Sequence, residues 1–207
     1  MKELILSINK NSELLKSINE KKSKHCDFCN IPTEKYSHTH SKDGEVYTSC
    51  SLCFYAEHLD ELKTLKNGSI IMMPELTQVE LFSLLRMIWY MESLEDDSKD
   101  DRYEEIFDSV RNINGLIRER IEFSTYYYTE GVDNVNVLIN FLHSIDEEKY
   151  LQRDTGLKNL LWLPDKEPFQ KEIQYWIDAE YNKYHPKYFK KIISEIINFK
   201  KGNKTWI

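Results

Sequence analysis

Apolar residues recur at helical spacing along most of the chain. The clearest stretch follows Pro74, where Val79, Phe82, Leu85 and later apolar positions recur at intervals of three and four. Proline is favoured in the first turn of a helix, and Glu80 suits the positive N-terminal end of the helix dipole. The pattern predicts that a long helix opens at Pro74 and lies at the centre of the core.

Weaker periodic patterns flank this helix on both sides. The run 69–73 is short, apolar and followed by proline, which predicts a strand or extended segment. A second apolar cluster, 157–163, ends at Pro164. Helical spacing predicts further helices at residues 1–24, 54–62, 103–122 and around 169–177. Three more helices are predicted to start near Asp133, which serves as an N-cap, from Asp146 and from Pro186.

Composition agrees with a mainly helical protein. The 207 residues include only 6 Gly and 5 Pro but 30% charged residues, which disfavours a β-sandwich, and 41% are hydrophobic, which excludes a disordered tail. The longest apolar run, 81–91, is interrupted by Ser83 and Arg86 and has the length of a buried helix, not of a membrane span. With no visible signal peptide, we expect a cytosolic protein.

All four cysteines belong to two Cys-x2-Cys pairs, Cys26 with Cys29 and Cys50 with Cys53. Disulfides are rare in a reducing cytosol, and two such pairs commonly present four thiolates tetrahedrally to zinc. A redox pair of the thioredoxin kind is the alternative, but it needs a strand-to-helix setting that the neighbouring sequence lacks. The spacing therefore predicts one structural Zn²⁺ bound by these four residues.

The interval between the pairs can form a β-hairpin but contains too little apolar surface for a core. Zinc would then supply the missing folding free energy. We expect Lys24 and Lys35 to offset the negative charge of the thiolates and His25 to donate a hydrogen bond beside the site. The sequence predicts four units: an N-terminal helix at 1–24, a zinc-binding module at 25–66, a helical domain at 67–185 and a basic C-terminal helix at 186–207.

Charge is distributed unevenly. The net charge of −7 disfavours a dedicated nucleic-acid binder, because phosphate contacts need a positive surface. Residues 92–108 hold nine acidic side chains against two basic ones, which is typical of a solvated loop and the start of a helix; an acidic surface for a basic partner segment is the alternative. Residues 187–204 hold six lysines and one acid, which fits an exposed terminal helix or a helix that contacts a membrane surface or a partner.

Aromatic residues are the candidates for a protein-binding surface. Tyr126, Tyr127 and Tyr128 are consecutive; if exposed they would form a binding hot spot, and if buried they would close the core. Phe54 and Tyr55, directly after the last cysteine, could also hold a partner segment.

Two other functions compete with a binding role. A metal-dependent nuclease of the HNH type needs a general base and metal-binding side chains, for which the module offers His38, His40 and His58. A zinc ribbon that binds nucleic acid would instead use basic residues, namely Lys21, Lys22, Lys24 and the C-terminal lysines. Because common phosphate-binding, nucleophile and zinc-protease motifs are missing from the sequence, we expect no catalytic residues.

The order of these features resembles the DotN (IcmJ) family. The resemblance covers roughly residues 20 to 180 and is sharpest in the Met73-Pro74-Glu75-Leu76-Thr77-Gln78 segment, which follows the two cysteine pairs. It also includes the aromatic segment 53–57 and the run Leu161-Trp162-Leu163-Pro164, followed by Phe169, Ile173 and Trp176.

The resemblance implies a non-catalytic, HNH-like module whose zinc ligands are Cys26, Cys29, Cys50 and Cys53. It further implies a component of the coupling complex of Dot/Icm type IV secretion systems, located on the cytoplasmic side of the inner membrane. Such a component binds an extended segment of the coupling ATPase, DotL, together with other coupling subunits. We expect any membrane contact to be indirect or through the basic C-terminal helix.

Overall fold

The computed structural model describes residues 4–9, 23–33, 36–39, 46–62, 68–97, 104–184 and 188–189, with the backbone alone at 36–39, 46 and 95–97. This part of the chain is mainly helical and carries the small hairpin sheet, as the sequence predicts, together with a second two-stranded antiparallel sheet that the sequence does not predict. The elements in chain order are β1 (Tyr36–Thr39), β2 (Val46–Ser49), α1 (Ser51–Glu57), a 3-10 turn (Leu59–Glu61), β3 (Ser69–Met72), α2 (Gln78–Asp97), α3 (Glu104–Tyr127), α4 (Val135–Ser144), α5 (Glu147–Leu151), α6 (Arg153–Gly156), β4 (Leu160–Leu163), a 3-10 turn (Glu167–Phe169), α7 (Gln170–Ala179) and a 3-10 turn (Tyr181–Lys183).

The four cysteines lie in a small ββα unit. β1 and β2 form the predicted hairpin, with Tyr36 opposite Ser49 and Thr39 opposite Val46. Cys50 follows β2 directly, and α1 begins at the next residue. The two Cys-x2-Cys pairs therefore lie before and after the hairpin, so the hairpin returns the chain to the first pair.

The predicted helix at 1–24 is wrong for residues 4–9, which run as an extended segment. The Ser7 N–H donates to the Ala56 carbonyl and the Ser7 carbonyl accepts from the Leu59 N–H, each at 3.0 Å. Tyr150 Oη accepts from the Ile8 N–H and donates to its carbonyl. These tertiary hydrogen bonds outweigh the local helical pattern; residues 1–3 and 10–22 lie outside the described residues.

The larger part of the fold is built on β3 and β4. These strands pair antiparallel, with Ile70 opposite Trp162, although 92 residues separate the pair along the chain. Helix α3 packs across β3, and the Ser124 hydroxyl donates to the Ile70 carbonyl at 3.0 Å. Helix α2 contacts β4, α3 and α7, which places its apolar residues in the core as expected.

Two predicted helix starts are displaced. Helix α2 begins at Gln78 and not at Pro74, which lies in the preceding turn. Thr77 and Glu80 form a capping box, in which Glu80 Oε2 accepts from the Thr77 N–H at 2.7 Å and Thr77 Oγ1 accepts from the Glu80 N–H at 3.3 Å. This cap satisfies the backbone donors of the first turn and sets the start of the helix.

Helix α4 is capped by Asn134, whose side chain accepts from the Asn136 N–H, and not by Asp133. The backbone of Asp133 is engaged elsewhere, because its carbonyl accepts from the Ile70 N–H at 2.8 Å. The predicted short helix from Asp146 is confirmed, with Asp146 as its N-cap, since the Asp146 side chain accepts from the Lys149 N–H. The predicted helix from Pro186 falls outside the described residues, apart from residues 188–189.

Gln78 closes the free edge of β4. Its amide Nε2 donates to the Trp162 carbonyl and its Oε1 accepts from the Trp162 N–H, both at 2.8 Å. The side chain thereby makes the pair of hydrogen bonds that a neighbouring strand would make. Both residues are buried, so these backbone groups have no access to water.

No helix in the described ranges is long and apolar enough to cross a membrane.

Replacing Gln78 by Leu should destabilise the protein by about 2–4 kcal/mol, because two buried backbone groups of Trp162 lose their partners. Urea denaturation followed by circular dichroism measures the change. Gln174→Leu, on the exposed surface of α7, is the matched control and should change the free energy of unfolding by less than about 0.5 kcal/mol. Equal effects of the two substitutions would contradict the role given to Gln78.

Candidate metal centre

The four cysteines converge on one point. The Sγ atoms of Cys26, Cys29, Cys50 and Cys53 all lie within 4.8 Å of one another, and those of Cys29 and Cys50 are 3.6 Å apart. All four are free thiols, and all but Cys29 are fully buried. Among the described residues, this is the group of side chains that could hold a metal ion.

The first pair is positioned by a tight loop. The Cys26 N–H donates to the Ile31 carbonyl and the Asn30 N–H donates to the Cys26 carbonyl, both at 2.9 Å. Closing this loop requires a left-handed residue at position 30, where Asn has φ +57°. Asparagine tolerates this conformation better than most residues do.

The loop is attached to the hairpin by paired hydrogen bonds. The Asp27 N–H donates to the Thr48 carbonyl, and the Thr48 N–H donates to the Asp27 carboxylate, each at 2.8 Å. Phe28, between the two cysteines, is buried with its ring edge-on to Tyr47. These contacts fix the first pair relative to β2 and therefore relative to Cys50.

The second pair is positioned by a helix start. Cys50 is the N-cap residue of α1, and its carbonyl accepts from the Phe54 N–H at 2.9 Å. Cys53 lies in the first turn of α1, so both thiols lie at the same end of the helix.

The donor set fits a divalent metal that prefers sulfur. Zinc bound by four thiolates at about 2.3 Å has sulfur atoms about 3.8 Å apart, so the cluster needs only a small contraction. Burial raises the pKa of the Cys50 and Cys53 thiols well above the usual value. Hydrogen bonds from the neighbouring thiols, first from Cys26, lower the pKa of Cys29. A bound Zn²⁺ would hold all four cysteines as thiolates in this buried position.

A buried arginine faces the thiols. Arg86 of α2 is 4% exposed, and its Nη2 donates to Ser83 Oγ at 3.1 Å. Burial acts to lower the pKa of the Arg86 guanidinium, but the charges of Cys29, then Tyr181, Cys50 and Cys53, outweigh it and raise this pKa above its usual value. The guanidinium carbon also lies 5.7 Å from the Trp176 ring centre.

This buried positive charge matches a metal-loaded site. A buried cation needs a compensating negative charge, and four thiolates around one Zn²⁺ carry a net charge of −2. Sequence reasoning missed Arg86 because it lies 33 residues after Cys53 along the chain. The signal was present, since Arg86 is the one charged residue in the apolar run 81–91.

The basic residues expected near the site play a smaller part. Lys24 and His25 are both exposed, and the backbone of His25 pairs with that of Pro32. Lys35 lies outside the described residues. The buried charge that faces the thiols thus comes from the helical part of the fold and not from the module.

The histidines considered for nuclease chemistry do not join the metal cluster where they are described. His58 is buried, with its ring centre 4.8 Å from that of Phe54. The side chain of His38 and all of His40 lie outside the described part of the chain, as do Lys21 and Lys22.

The aromatic candidates divide into two groups. Phe54 and Tyr55 are half-buried, and the Tyr55 ring packs edge-on against Phe169 at 6.0 Å. Tyr55 therefore packs the module against the residues before α7, and Phe54 packs against Tyr55 and His58. Tyr126, Tyr127 and Tyr128, at the end of α3, are 83%, 47% and 41% exposed, so they do not close the core.

Comparison with known proteins gives one distant similarity. The chain is 24% identical over 163 residues to the type 4 apparatus protein DotN of Legionella pneumophila subsp. pneumophila strain Philadelphia 1. The alignment covers 73% of this chain and 72% of that protein. No protein-family model matches the sequence.

Substitution of Arg86 by Met should weaken zinc binding by about 10- to 100-fold, because the compensating charge beside the thiolates is lost. Competition with a chromophoric chelator measures the dissociation constant, and Arg86→Lys, which keeps the charge, should lose less. Arg120→Met is the matched control, since Arg120 pairs with Glu75 and not with the thiols. Unchanged zinc affinity in folded Arg86→Met protein would show that this charge does not act on the site.

Proposed function

We propose that this protein is a non-catalytic, zinc-stabilised adaptor in the coupling complex of a bacterial type IV secretion system of the Dot/Icm kind. In this proposal it binds an extended segment of the coupling ATPase on the cytoplasmic side of the inner membrane. The zinc ion is bound by Cys26, Cys29, Cys50 and Cys53 and has a structural role.

The similarity to DotN carries this proposal. The match extends over 73% of the chain. Residues 67–207 make up a smaller share of the chain than this, so the match must include part of the cysteine module as well as the helical part. A similarity confined to the module would support only a common zinc fold. DotN is described as a type 4 apparatus protein, and a secretion role for this chain follows from the breadth of the match.

The arrangement of the site supports a structural metal over a catalytic one. Four cysteines fill the four positions of a tetrahedral zinc ion, whereas catalytic zinc keeps a position open for water or substrate. Three of the four thiols are fully buried, which leaves a substrate little access to the ion. An adaptor needs only the stability that such a site confers.

The three exposed tyrosines are suited to binding another protein. Tyrosine combines a large apolar ring with a hydroxyl group and loses little conformational entropy on binding. The Tyr126 and Tyr127 rings pack edge to face at 5.1 Å, and Tyr127 stacks on Phe123, so the group is already ordered in the free protein. We propose that this tyrosine surface, Tyr126–Tyr128, contacts the secretion complex.

Affinity purification of the tagged protein from its native host should recover the coupling ATPase and further secretion subunits, identified by mass spectrometry. The double variant Tyr126→Ala/Tyr127→Ala should reduce their recovery about tenfold or more, as expected for loss of aromatic hot-spot residues. Phe141→Ala, at an aromatic residue of α4 that is 52% exposed, is the matched control and should leave recovery unchanged.

Recovery of nucleic acid instead of secretion subunits would contradict the adaptor proposal and favour the zinc-ribbon alternative. Nicking of plasmid DNA that depends on a divalent metal and is lost in His38→Ala or His40→Ala would contradict it in favour of a nuclease.

A further inference from the structure

A groove lies where the N-terminal segment meets the helical part of the fold. Its volume is about 460 Å³, within the range of ligand-binding pockets. Three stretches of chain line it, namely residues 4–6, 74–80 and 157–161, and Phe28 of the cysteine module and Asp154 complete the lining. All of these residues belong to the described part of the chain.

One wall of the groove is formed by residues 4–6 of the N-terminal segment. From Ser7 to Asn9 each N–H of the extended segment donates to Ala56, Tyr150 or Asp60. The N–H and carbonyl groups of Ile5 and Leu6 make no hydrogen bond to any residue within the described ranges. Leu6 is buried, whereas Ile5 is half-buried, so a segment that enters the groove can reach the backbone of Ile5.

The chemistry of the lining restricts the occupant. Apolar side chains predominate, including Leu76, Val79 and Leu157. The charged side chains that line the groove are three acids and one base, namely Glu75, Glu80, Asp154 and Lys158. Arg120 lies 3.5 Å from Glu75, and when it is added to this count three acidic residues still outnumber two basic ones. Such a rim disfavours phosphate and nucleic acid and attracts lysine or arginine.

We propose that this groove binds an extended segment of a partner protein, in which apolar residues alternate with lysine or arginine. The segment lies beside residues 4–6, and its backbone supplies the hydrogen bonds that the half-buried Ile5 lacks. Its apolar side chains enter the groove, and its basic side chains face the acidic rim. This is recognition by strand addition, in which backbone bonds give affinity and side-chain pockets give specificity.

The inference rests on the proposed adaptor function and names the surface and the chemistry by which the adaptor holds its partner. It assigns the extended segment to the groove and leaves the tyrosine surface for a separate contact. The two surfaces can therefore be tested independently.

Site-specific photo-crosslinking in the native host tests this proposal on the full chain. A benzophenone amino acid replaces Pro74, which is exposed and lines the groove, or Glu104 as the control. Glu104 is distant from the groove: Arg120 of α3 pairs with the groove residue Glu75, and Glu104 lies 16 residues before Arg120, which is about 24 Å along the helix. We expect crosslinks from position 74, and not from 104, to map to one segment with alternating apolar and basic residues.

Two charge variants add a test in both directions. Asp154→Lys should lower the crosslinking yield from position 74 by about fivefold, and Lys158→Glu, which makes the rim more acidic, should raise it. Equal yields from both variants, or crosslinks only to lipid or a small molecule, would overturn the inference.

The outcomes separate the inference from the proposed function. If secretion subunits are purified with the protein but position 74 gives no crosslinked segment, the groove inference fails and the adaptor function stands. If position 74 crosslinks to a segment of the stated composition in a protein outside any secretion complex, the groove inference stands and the adaptor function fails.

Discussion

The positive charge of Arg86, buried beside four thiols, is the constraint on which the rest of the structure depends. A lone guanidinium in this position would be strongly destabilising, and negative charge on the thiol cluster would offset that cost. Metal binding provides this charge and keeps it fixed. Arg86 belongs to α2 and contacts Trp176 of α7, so its electrostatic interaction with the thiols links the helical part of the fold to the cysteine module. The metal would therefore support the whole fold as well as the small hairpin unit.

The segment that most resembles the DotN family has identifiable tasks in the fold. Thr77 starts α2 through its capping box, and Gln78 completes the hydrogen bonding of β4. Pro74 lies in the turn that leads from β3 to this cap. These roles are structural, so the similarity of this segment supports a common fold. The proposed role in secretion depends instead on the breadth of the similarity over both parts of the chain.

Local patterns predicted those elements that local chemistry determines. The two cysteine pairs, the hairpin between them, the long apolar helices and the short helix from Asp146 follow from spacing and residue type alone. The extended course of residues 4–9 could not be predicted, because it depends on hydrogen bonds to Ala56, Leu59 and Tyr150, which are distant in sequence. Arg86 was missed for the same reason, and the groove is formed by three stretches that only the tertiary fold brings together.

X-ray absorption at the zinc edge of the purified protein tests the central claim most directly, because it reports the identity and number of atoms bound to the metal. The account predicts four sulfur neighbours at about 2.3 Å and no lighter neighbour in the first shell. A spectrum with nitrogen or oxygen neighbours in place of one or more sulfurs, or a folded protein that contains no metal at the four cysteines, would contradict it.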